Sequence, residues 1–241
     1  MRSHLILPLA AFTVPAAALA AAQADRAAER ARMAMEVENL VATSGAREGT
    51  RLRQAVKNAI RRVPRHLFVP EAAQQEAYRD RPLPIGHGAT ISAPTIVALM
   101  TELLDVAPGH RVLEVGTGSG YQAAVLSGLA REVFSIEIVE PLAASAAERL
   151  AALGYANVTV RAGDGYAGWP EHAPFDRIIV TAAAPQVPQP LTDQLRPGGR
   201  MVIPVGASSE DHQLVLVVKD RRGRVSRRAI LPVRFVPLVR G

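Results

Sequence analysis

The amino-acid sequence predicts an α/β fold: a mostly parallel sheet that ends in an antiparallel strand pair, with helices at the amino-terminal end. Two observations support this. Through the middle of the chain, short apolar runs alternate with stretches of helical periodicity, which is the pattern of parallel strands joined by helices. A glycine-rich turn at 116–120 separates one apolar run from the helical stretch that begins at Tyr121. The 241 residues are enough for one well-buried domain.

The composition excludes several kinds of site. The chain has no cysteine, which rules out disulfides, thiolate nucleophiles and zinc–thiolate sites. Its 6 histidines are scattered, so no metal site is predicted. The formal charge of +6 suits acidic partners, but aromatic residues make up only 4% and the arginines occur as separated pairs. We therefore expect a solvated basic surface and no nucleic-acid partner, and no apolar run has the length of a membrane span.

Residues 1–24 differ from the rest of the chain. Arg2 precedes an apolar run at 5–19, and small residues then offer Ala-x-Ala cleavage sites. This is the pattern of a secretory signal peptide, which predicts an exported, periplasmic protein. The alternative is a misassigned start, since Met33 or Met35 could begin a complete cytoplasmic protein.

Two amphipathic helices are predicted between residues 25 and 63. Apolar residues recur in each at spacings of three and four, which places them on one face. Pro64 ends the second helix, and residues 64–93 are predicted to be irregular because prolines interrupt them. The two apolar faces consist of Met33, Val37, Leu40 and Val41, then of Leu52, Ala55, Val56, Ala59, Ile60 and Val63.

The segment 83–94 combines two glycines and two hydroxyl residues just before a third helix. Ser92 is placed to cap that helix, with Pro94 in its first turn. In the alternative interpretation, Thr90 and Ser92 join the glycines and the helix terminus in a pocket that binds a carboxylate.

The glycine turn after the strand at 112–115 indicates the ligand. A dinucleotide fingerprint has the spacing Gly-x-Gly-x-x-Gly, whereas here the third glycine, Gly120, comes one residue early. Glu114 precedes the first glycine and adds negative charge, which disfavours a pyrophosphate and suits a cationic ligand without phosphate. S-adenosylmethionine is such a ligand. The alternative is a plain glycine turn with no ligand.

Two acids follow the next strands. The strand at 133–136 ends in Glu137, about 20 positions after the turn, where a carboxylate can accept both hydroxyls of a ribose. After a helix framed by Pro141 and Gly154, a third strand at 158–161 leads to Asp164, which is suited to an amine such as that of adenine. The alternative for both acids is an ordinary surface charge.

The remaining chain completes the sheet. A fourth strand at 175–181 has Asp176 near its start, and a turn at 195–200 leads into a fifth strand at 201–205. The segments 214–218 and 225–231 are predicted to form the closing antiparallel pair, and the apolar tail at 233–239 is expected to dock on the domain.

These residues resemble a known family. The glycine turn, Glu137, the Gly-Asp-Gly loop at 163–165 and the Leu-x-Pro-Gly-Gly turn are similar to successive motifs of class I S-adenosylmethionine-dependent methyltransferases, whose sheet is Rossmann-like. Within that superfamily, residues 30–240 resemble protein-L-isoaspartate (D-aspartate) O-methyltransferases. His87 and Ala89 differ from the glutamine-type residues expected of bacterial members. Within the superfamily, the segments that resemble the isoaspartate methyltransferases in particular are 83–86 with 90–92, 116–121, 180–183 and 234–239.

The resemblance implies that a methyl group passes from S-adenosylmethionine to the free carboxylate of L-isoaspartyl or D-aspartyl residues in damaged proteins, which starts repair through a succinimide. Ser92 is the implied catalytic residue. The implied cofactor residues are Glu114, Gly116, Thr117, Gly118, Ser119, Gly120, Glu137, Ile138, Asp164, Gly165 and Thr181. The implied substrate residues are Thr90, Ile91, Ser92, Ala182, Val236, Pro237 and Leu238.

The resemblance also implies one methyltransferase domain at 25–241, with a flank at 25–93, a cofactor-binding core at 94–232 and a substrate-covering tail at 233–241. We expect a monomer whose partners are isoaspartyl proteins and peptides. One alternative is a carboxyl methyltransferase for a small-molecule acid. A more remote alternative, a nicotinamide-dependent oxidoreductase, is disfavoured by the glycine spacing.

Overall fold

The computed structural model describes residues 26–45, 51–208 and 210–241, so the predicted leader lies outside the described residues. A two-stranded hairpin precedes a central sheet of seven strands. The strands are β1 (Leu83–Gly86), β2 (Ala89–Ile91), β3 (Arg111–Val115), β4 (Glu132–Glu137), β5 (Val158–Ala162), β6 (Phe175–Val180), β7 (Leu195–Val205), β8 (Gln213–Lys219) and β9 (Val225–Pro232).

Both predicted amino-terminal helices are present, although Leu40 is 37% exposed and does not belong to the buried face of the first. In the part of the chain that the structure describes, no helix has the length and apolar character needed to cross a bilayer. The helices are α1 (Ala27–Thr43), α2 (Gln54–Arg62), α3 (Pro94–Leu104), α4 (Tyr121–Ser127), α5 (Glu140–Ala152) and α6 (Gln189–Gln194), with short 3₁₀ helices at Arg65–Phe68, Glu71–Glu76 and Pro170–His172.

The strand order of the large sheet is β5-β4-β3-β6-β7-β8-β9. Strands β3 to β7 pair in parallel, and β8 and β9 pair antiparallel, which confirms the predicted closing pair. From β3 the chain proceeds to β4 on one side, and it later returns through β6 on the other. Such a reversal opens a crevice at the carboxyl ends of the strands, where ligands bind in open α/β sheets.

Alternate residues of each central strand enter two separate apolar cores. Val112 and Ile179 pack in the core that includes the amino-terminal helices, whereas Leu113 and Ile178 face the opposite core around Phe134. Successive side chains of a strand point to opposite faces, so a sheet covered on both sides needs continuous apolar runs. The runs identified in the sequence are therefore the buried strands of this sheet.

The hairpin of β1 and β2 was not predicted, since residues 64–93 were expected to be irregular. Its strands have 4 and 3 residues, which is too short for a recognisable alternation. The turn residues His87 and Gly88 have φ of 52° and 73°. The type I′ hairpin turn requires positive φ at both central positions, and histidine is among the residues that adopt it. This hairpin projects Thr90 and Ile91 towards the site described below.

Asp176 joins three strands at the edge of the sheet that is opposite the crevice. Its Oδ2 accepts a hydrogen bond from the Arg111 N–H (2.8 Å), and its Oδ1 is paired with the Arg196 guanidinium. Burial by itself would raise the pKa of Asp176, but the hydrogen bonds from Arg111 and Arg196 outweigh burial and lower the pKa below its ordinary value. The predicted turn at 195–200 is a bulge in β7, because Phe175 pairs with Leu195 and the next pair is Arg177 with Arg200.

We predict that Asp176→Asn lowers the free energy of unfolding at pH 7 by about 0.5–1 kcal/mol, a small value because solvent screens the partly exposed pair. A carboxyl whose folded-state pKa is depressed stabilises the protein above its unfolded pKa, and this contribution disappears as the pH falls through the folded pKa. Denaturant unfolding should therefore show a deficit at pH 7 that closes below about pH 4. Asp193→Asn, on the exposed surface of α6, serves as the control and should show no such convergence.

Candidate functional site

A cavity of about 260 Å³ lies at the carboxyl ends of β3, β4 and β6, in the crevice where the strand order reverses. It is bounded by the β1–β2 hairpin, the glycine turn and the carboxyl-terminal tail. Of the predicted site residues, those that line it are Thr90, Ile91, Ser92, Gly116, Thr117, Gly118, Ser119, Glu137, Ile138, Gly165, Thr181, Ala182, Val236, Pro237 and Leu238.

Gly116 holds the start of the glycine turn against β6. Its φ is +96°. The Thr181 hydroxyl donates its proton to the Gly116 carbonyl oxygen (2.6 Å) and also lies 3.1 Å from the Val115 carbonyl oxygen. A Cβ atom at position 116 would overlap the Thr181 Oγ1 atom. Glycine is required here both for its backbone conformation and for this close approach. The backbone of the turn can therefore form the wall of the pocket.

Glu137 lies in the pocket and is bound by the turn. Its Oε2 accepts a hydrogen bond from the Gly118 N–H (2.8 Å), and its Oε1 accepts one from the Val139 N–H (3.0 Å). The residue is only 7% exposed, but a carboxylate has about four acceptor positions, so each oxygen can accept a second hydrogen bond. This geometry fits the predicted role of holding both hydroxyls of a ribose.

Three residues expected in the cofactor site lie outside the pocket lining. The first is Gly120, whose φ is +87°; a Cβ atom there would lie 3.1 Å from the Leu150 Cδ1 atom. Gly120 therefore allows α4 to begin close against α5. The second is Asp164, whose carboxylate accepts a hydrogen bond from the Tyr166 N–H (2.8 Å) and borders a neighbouring cavity together with Arg240.

The third is Glu114, which is completely buried. Because it alternates with Leu113 and Val115, it points to the face of the sheet that the amino-terminal helices cover. Burial raises the pKa of Glu114, the hydrogen bond from Ser135 partly offsets this effect, and the charge of Glu137 adds to it, so the pKa is raised to about 8. The expectation that Glu114 places a negative charge beside the ligand is wrong, because the side chain lies in the core and not in the pocket. With its raised pKa, the carboxyl is also mostly protonated at neutral pH.

The predicted helix-cap role of Ser92 is also wrong. The residue before α3 is Ala93, and no side chain of that residue or of Ser92 caps the helix. Instead, the Asp80 carboxylate accepts a hydrogen bond from the Thr95 N–H (2.8 Å) in the first turn. Ser92 is half-buried and lines the pocket, and no hydrogen bond among the described residues uses its hydroxyl. The hydroxyl is therefore available to a bound molecule.

The tail is docked, as predicted. The Ala183 N–H donates to the Val236 carbonyl (2.8 Å), and the Leu238 N–H donates to the Ala183 carbonyl (2.7 Å). This pairing lays 236–238 over the pocket beside the end of β6.

Sequence reasoning missed several lining residues. Val97 and Met100 belong to the apolar stripe of α3, and periodicity alone cannot distinguish a residue of the core from one of an apolar pocket floor. Gln122 sits on α4 and donates to the Thr101 hydroxyl (3.0 Å). The further lining residues that were not predicted are His87, Gly88, Ala89, Val115, Tyr121, Ile136, Val139 and Val239.

Comparison with known proteins assigns the family. The family model described as Protein-L-isoaspartate(D-aspartate) O-methyltransferase matches residues 35–241. The chain belongs to this family. It is 56% identical over 239 residues to Protein-L-isoaspartate O-methyltransferase 1 of Cupriavidus necator, with 96% of this chain and 92% of that protein covered. It is 58% identical over 225 residues to Protein-L-isoaspartate O-methyltransferase 2 of Syntrophobacter fumaroxidans, with 93% and 91% covered.

Solved structures of the isoaspartate methyltransferase family have the same fold. A Plasmodium falciparum protein described as this methyltransferase, in complex with S-adenosyl-L-homocysteine, is 26% identical, with a TM-score of 0.72, and 88% of this chain and 99% of that chain are covered. Another protein-L-isoaspartate O-methyltransferase is 28% identical, with a TM-score of 0.74, and 85% of this chain and 65% of that chain are covered. The family uses S-adenosylmethionine, and the residues present here fit that cofactor: Glu137 has acceptors for a ribose, and Gly116 and Gly118 leave the backbone of the turn open to the pocket.

The lining of this methyltransferase site is poor in groups that could act as a base. Its ionisable side chains among the described residues are His87, Tyr121 and Glu137. Tyr121 is fully buried and burial raises its pKa to about 12, so it is neutral. Glu137 is turned towards the glycine loop by its two hydrogen bonds. His87 lies in the exposed turn of the β1–β2 hairpin, at the rim of the pocket. The arrangement therefore suits a reaction whose nucleophile is already ionised.

We predict that Gly116→Ala destabilises this methyltransferase more than Gly223→Ala. Both positions have positive φ, +96° and +82°, but a Cβ atom at 223 meets nothing within 4 Å. Each substitution should cost about 1 kcal/mol for the left-handed conformation, and overlap with Thr181 should add about 1–3 kcal/mol at position 116. In a double-mutant cycle, Thr181→Ala should recover part of the added loss. Equal unfolding free energies for the two alanine variants would contradict the steric role of Gly116.

Proposed function

We propose that this chain transfers a methyl group from S-adenosylmethionine to the free carboxylate of L-isoaspartyl residues in damaged proteins and peptides. The observation that supports this most directly is the meeting of two halves in one pocket. Glu137 and the glycine turn form a cofactor half, and the hairpin, Ser92 and the tail form an acceptor half. Family membership supports the same acceptor chemistry.

The reaction needs positioning more than proton transfer. Bound S-adenosylmethionine supplies a methyl group that its positive sulfur makes electrophilic. A carboxyl group with an ordinary pKa of about 4 is ionised at neutral pH, so the acceptor attacks without a general base. An oxygen–carbon bond forms, the carbon–sulfur bond breaks with its electron pair on sulfur, and the products are a methyl ester and S-adenosylhomocysteine. The pocket contributes by aligning the reacting atoms and excluding water.

Ser92 is the proposed catalytic residue. Its hydroxyl lines the pocket with no competing partner among the described residues, so it can donate a hydrogen bond to the acceptor carboxylate. Thr90 and Ile91 in β2 offer backbone groups to the substrate chain, and 236–238 cover it from the other side. Together these segments define where a carboxylate must lie.

An isoaspartyl and an aspartyl residue differ by the placement of one methylene, in the backbone or in the side chain. Their charges and hydrogen-bonding groups are equal, so a pocket can separate them only by where the carboxylate falls. A misplacement of about 1 Å can cost about a hundredfold in rate. The isoaspartyl methyl ester then cyclises without the enzyme to a succinimide, whose hydrolysis returns some normal aspartate, and the proposed role is therefore repair.

We predict that the protein methylates an isoaspartyl peptide and leaves the aspartyl peptide of the same sequence unmodified within detection. The measurement is transfer of a labelled methyl group to each peptide of the pair. Equal methylation of both peptides, or methylation of a small carboxylic acid with neither peptide modified, would contradict the proposal and favour a small-molecule carboxyl methyltransferase.

We predict that Ser92→Ala lowers the rate of isoaspartyl methylation by about tenfold or more, the effect of losing a hydrogen bond to a charged group. S-adenosylhomocysteine binding should be unchanged, because the hydroxyl contacts the acceptor. Ser226→Ala, in the edge strand β9, is the matched control and should keep full activity. A fully active Ser92→Ala enzyme would remove Ser92 from the catalytic machinery.

For localisation we propose export directed by residues 1–24, supported by Arg2, the apolar run and the Ala-x-Ala sites. Mature protein from its native host should then begin between Ala21 and Asp25, as measured by amino-terminal mass spectrometry. An intact Met1, or a start at Met33 or Met35, would contradict export and favour a cytoplasmic enzyme. We also propose a monomer.

A further inference from the structure

Glu114, Ser135 and Thr117 form a chain of hydrogen bonds that leads from the core of the protein to the cofactor pocket. Glu114 and Ser135 are register partners in β3 and β4, and the Glu114 Oε2 atom is hydrogen-bonded to the Ser135 Oγ atom. The Ser135 Oγ atom is also 2.6 Å from the Thr117 Oγ1 atom. Thr117 is 3% exposed and lines the pocket, so this series of hydrogen bonds ends at the pocket wall.

The surroundings of Glu114 keep its carboxyl neutral. Glu114 is completely buried, and its Oε1 atom has no hydrogen-bond partner among the described residues. The negative charge of Glu137, at the end of β4, also disfavours ionisation. On the helical side, the neutral Tyr121 lies under the buried cation Arg65, whose guanidinium is 4.9 Å from the ring centroid and donates to the Ala77 carbonyl. A buried charge without an ionic partner is costly, so the proton is retained.

The protonation state of Glu114 decides which atom donates in each hydrogen bond of this series, because each hydroxyl has one proton to donate. If Glu114 is ionised, Ser135 donates to Glu114 and Thr117 must donate to Ser135. If Glu114 is protonated, the proton lies on Oε2, because Oε1 has no hydrogen-bond partner among the described residues and a buried donor without a partner is costly. Glu114 then donates to Ser135, and Ser135 donates to Thr117. Only in the second arrangement is the proton of Thr117 left for the pocket.

We propose that Glu114 is a positioning residue: as a neutral acid it orients the Ser135 hydroxyl so that Thr117 donates a hydrogen bond to an acceptor atom of the bound cofactor. In this role Glu114 acts through its neutral form, and it does not attract the positive charge of the cofactor. The inference rests on the pocket's holding the S-adenosyl cofactor and is independent of the methyl acceptor.

The consequence is a pH-dependent affinity. Because burial raises the pKa of Glu114 to about 8, its carboxyl changes from mostly neutral to mostly ionised as the pH rises from 7 to 9. The form that binds the cofactor is the protonated one, so affinity is highest below the pKa and falls as the pH rises through it. Loss of one neutral hydrogen bond corresponds to a decrease of about five- to tenfold.

The experiment is calorimetric binding of S-adenosylhomocysteine from pH 7 to pH 9 by wild type, Glu114→Gln, Glu114→Leu and Thr117→Val. The glutamine amide can donate to Ser135 at every pH, whereas leucine cannot donate. We expect Glu114→Gln to bind within about threefold of wild type at pH 7 and to lack the decrease that Glu114 causes. Glu114→Leu should bind about five- to tenfold more weakly at pH 7. The glutamine variant also corrects for titration of the ligand's own amino group.

Thr117→Val removes the hydroxyl at the pocket end of the hydrogen-bond series and leaves Glu114 unchanged. It should bind at pH 7 about as weakly as wild type does at pH 9, with no further decrease due to Glu114. A tenfold loss in Glu114→Gln at pH 7 would show that Glu114 acts by charge and would overturn the proposal. The same pH profile in wild type and Thr117→Val would also overturn it. Absence of binding by wild type at every pH would instead contradict the cofactor assignment.

Discussion

The structure depends on the contact between the glycine turn and the end of β6. Gly116 accepts a hydrogen bond from the Thr181 hydroxyl, and a Cβ atom at this position would overlap that hydroxyl. The contact fixes the turn at the point where the strand order reverses and the crevice opens. From there Gly118 binds Glu137, and Ala183, in the segment after Thr181, pairs with the tail. The cofactor wall and the acceptor wall are therefore positioned by the close approach of the Gly116 backbone to the Thr181 hydroxyl.

Two carboxyl groups near this contact have different physical states. Glu137 accepts two backbone hydrogen bonds at the mouth of the crevice, and it keeps acceptor capacity for a ligand. Glu114, one strand away, is sealed in the core, where burial favours its neutral form. A low-dielectric environment penalises the charged form of an acid, while hydrogen bonds from backbone N–H groups favour it. The position of each carboxyl relative to the sheet therefore decides its chemistry.

The acceptor side of the site is assembled from segments that are far apart in the chain. The hairpin, Ser92 and the tail at 236–238 meet only because α3 packs on the sheet and the tail pairs with Ala183. Backbone hydrogen bonds hold the hairpin and the tail in place: β1 pairs with β2, and the tail pairs with Ala183. Such preorganisation suits catalysis by alignment, in which small displacements have large effects on rate.

The sequence by itself determined the α/β fold, the strands of the sheet and most of the pocket lining, because apolar runs, helical periodicity and glycine turns are local patterns. Tertiary structure decided which side chains face the ligand. Glu114 lies within one apolar strand and Glu137 ends the next, yet strand alternation and helix packing turn Glu114 into the core and Glu137 into the pocket. Likewise, Asp80 supplies the hydrogen bond at the start of α3 that local sequence assigned to Ser92. The direction of a side chain depends on what packs against its element, and that information lies in residues distant along the chain.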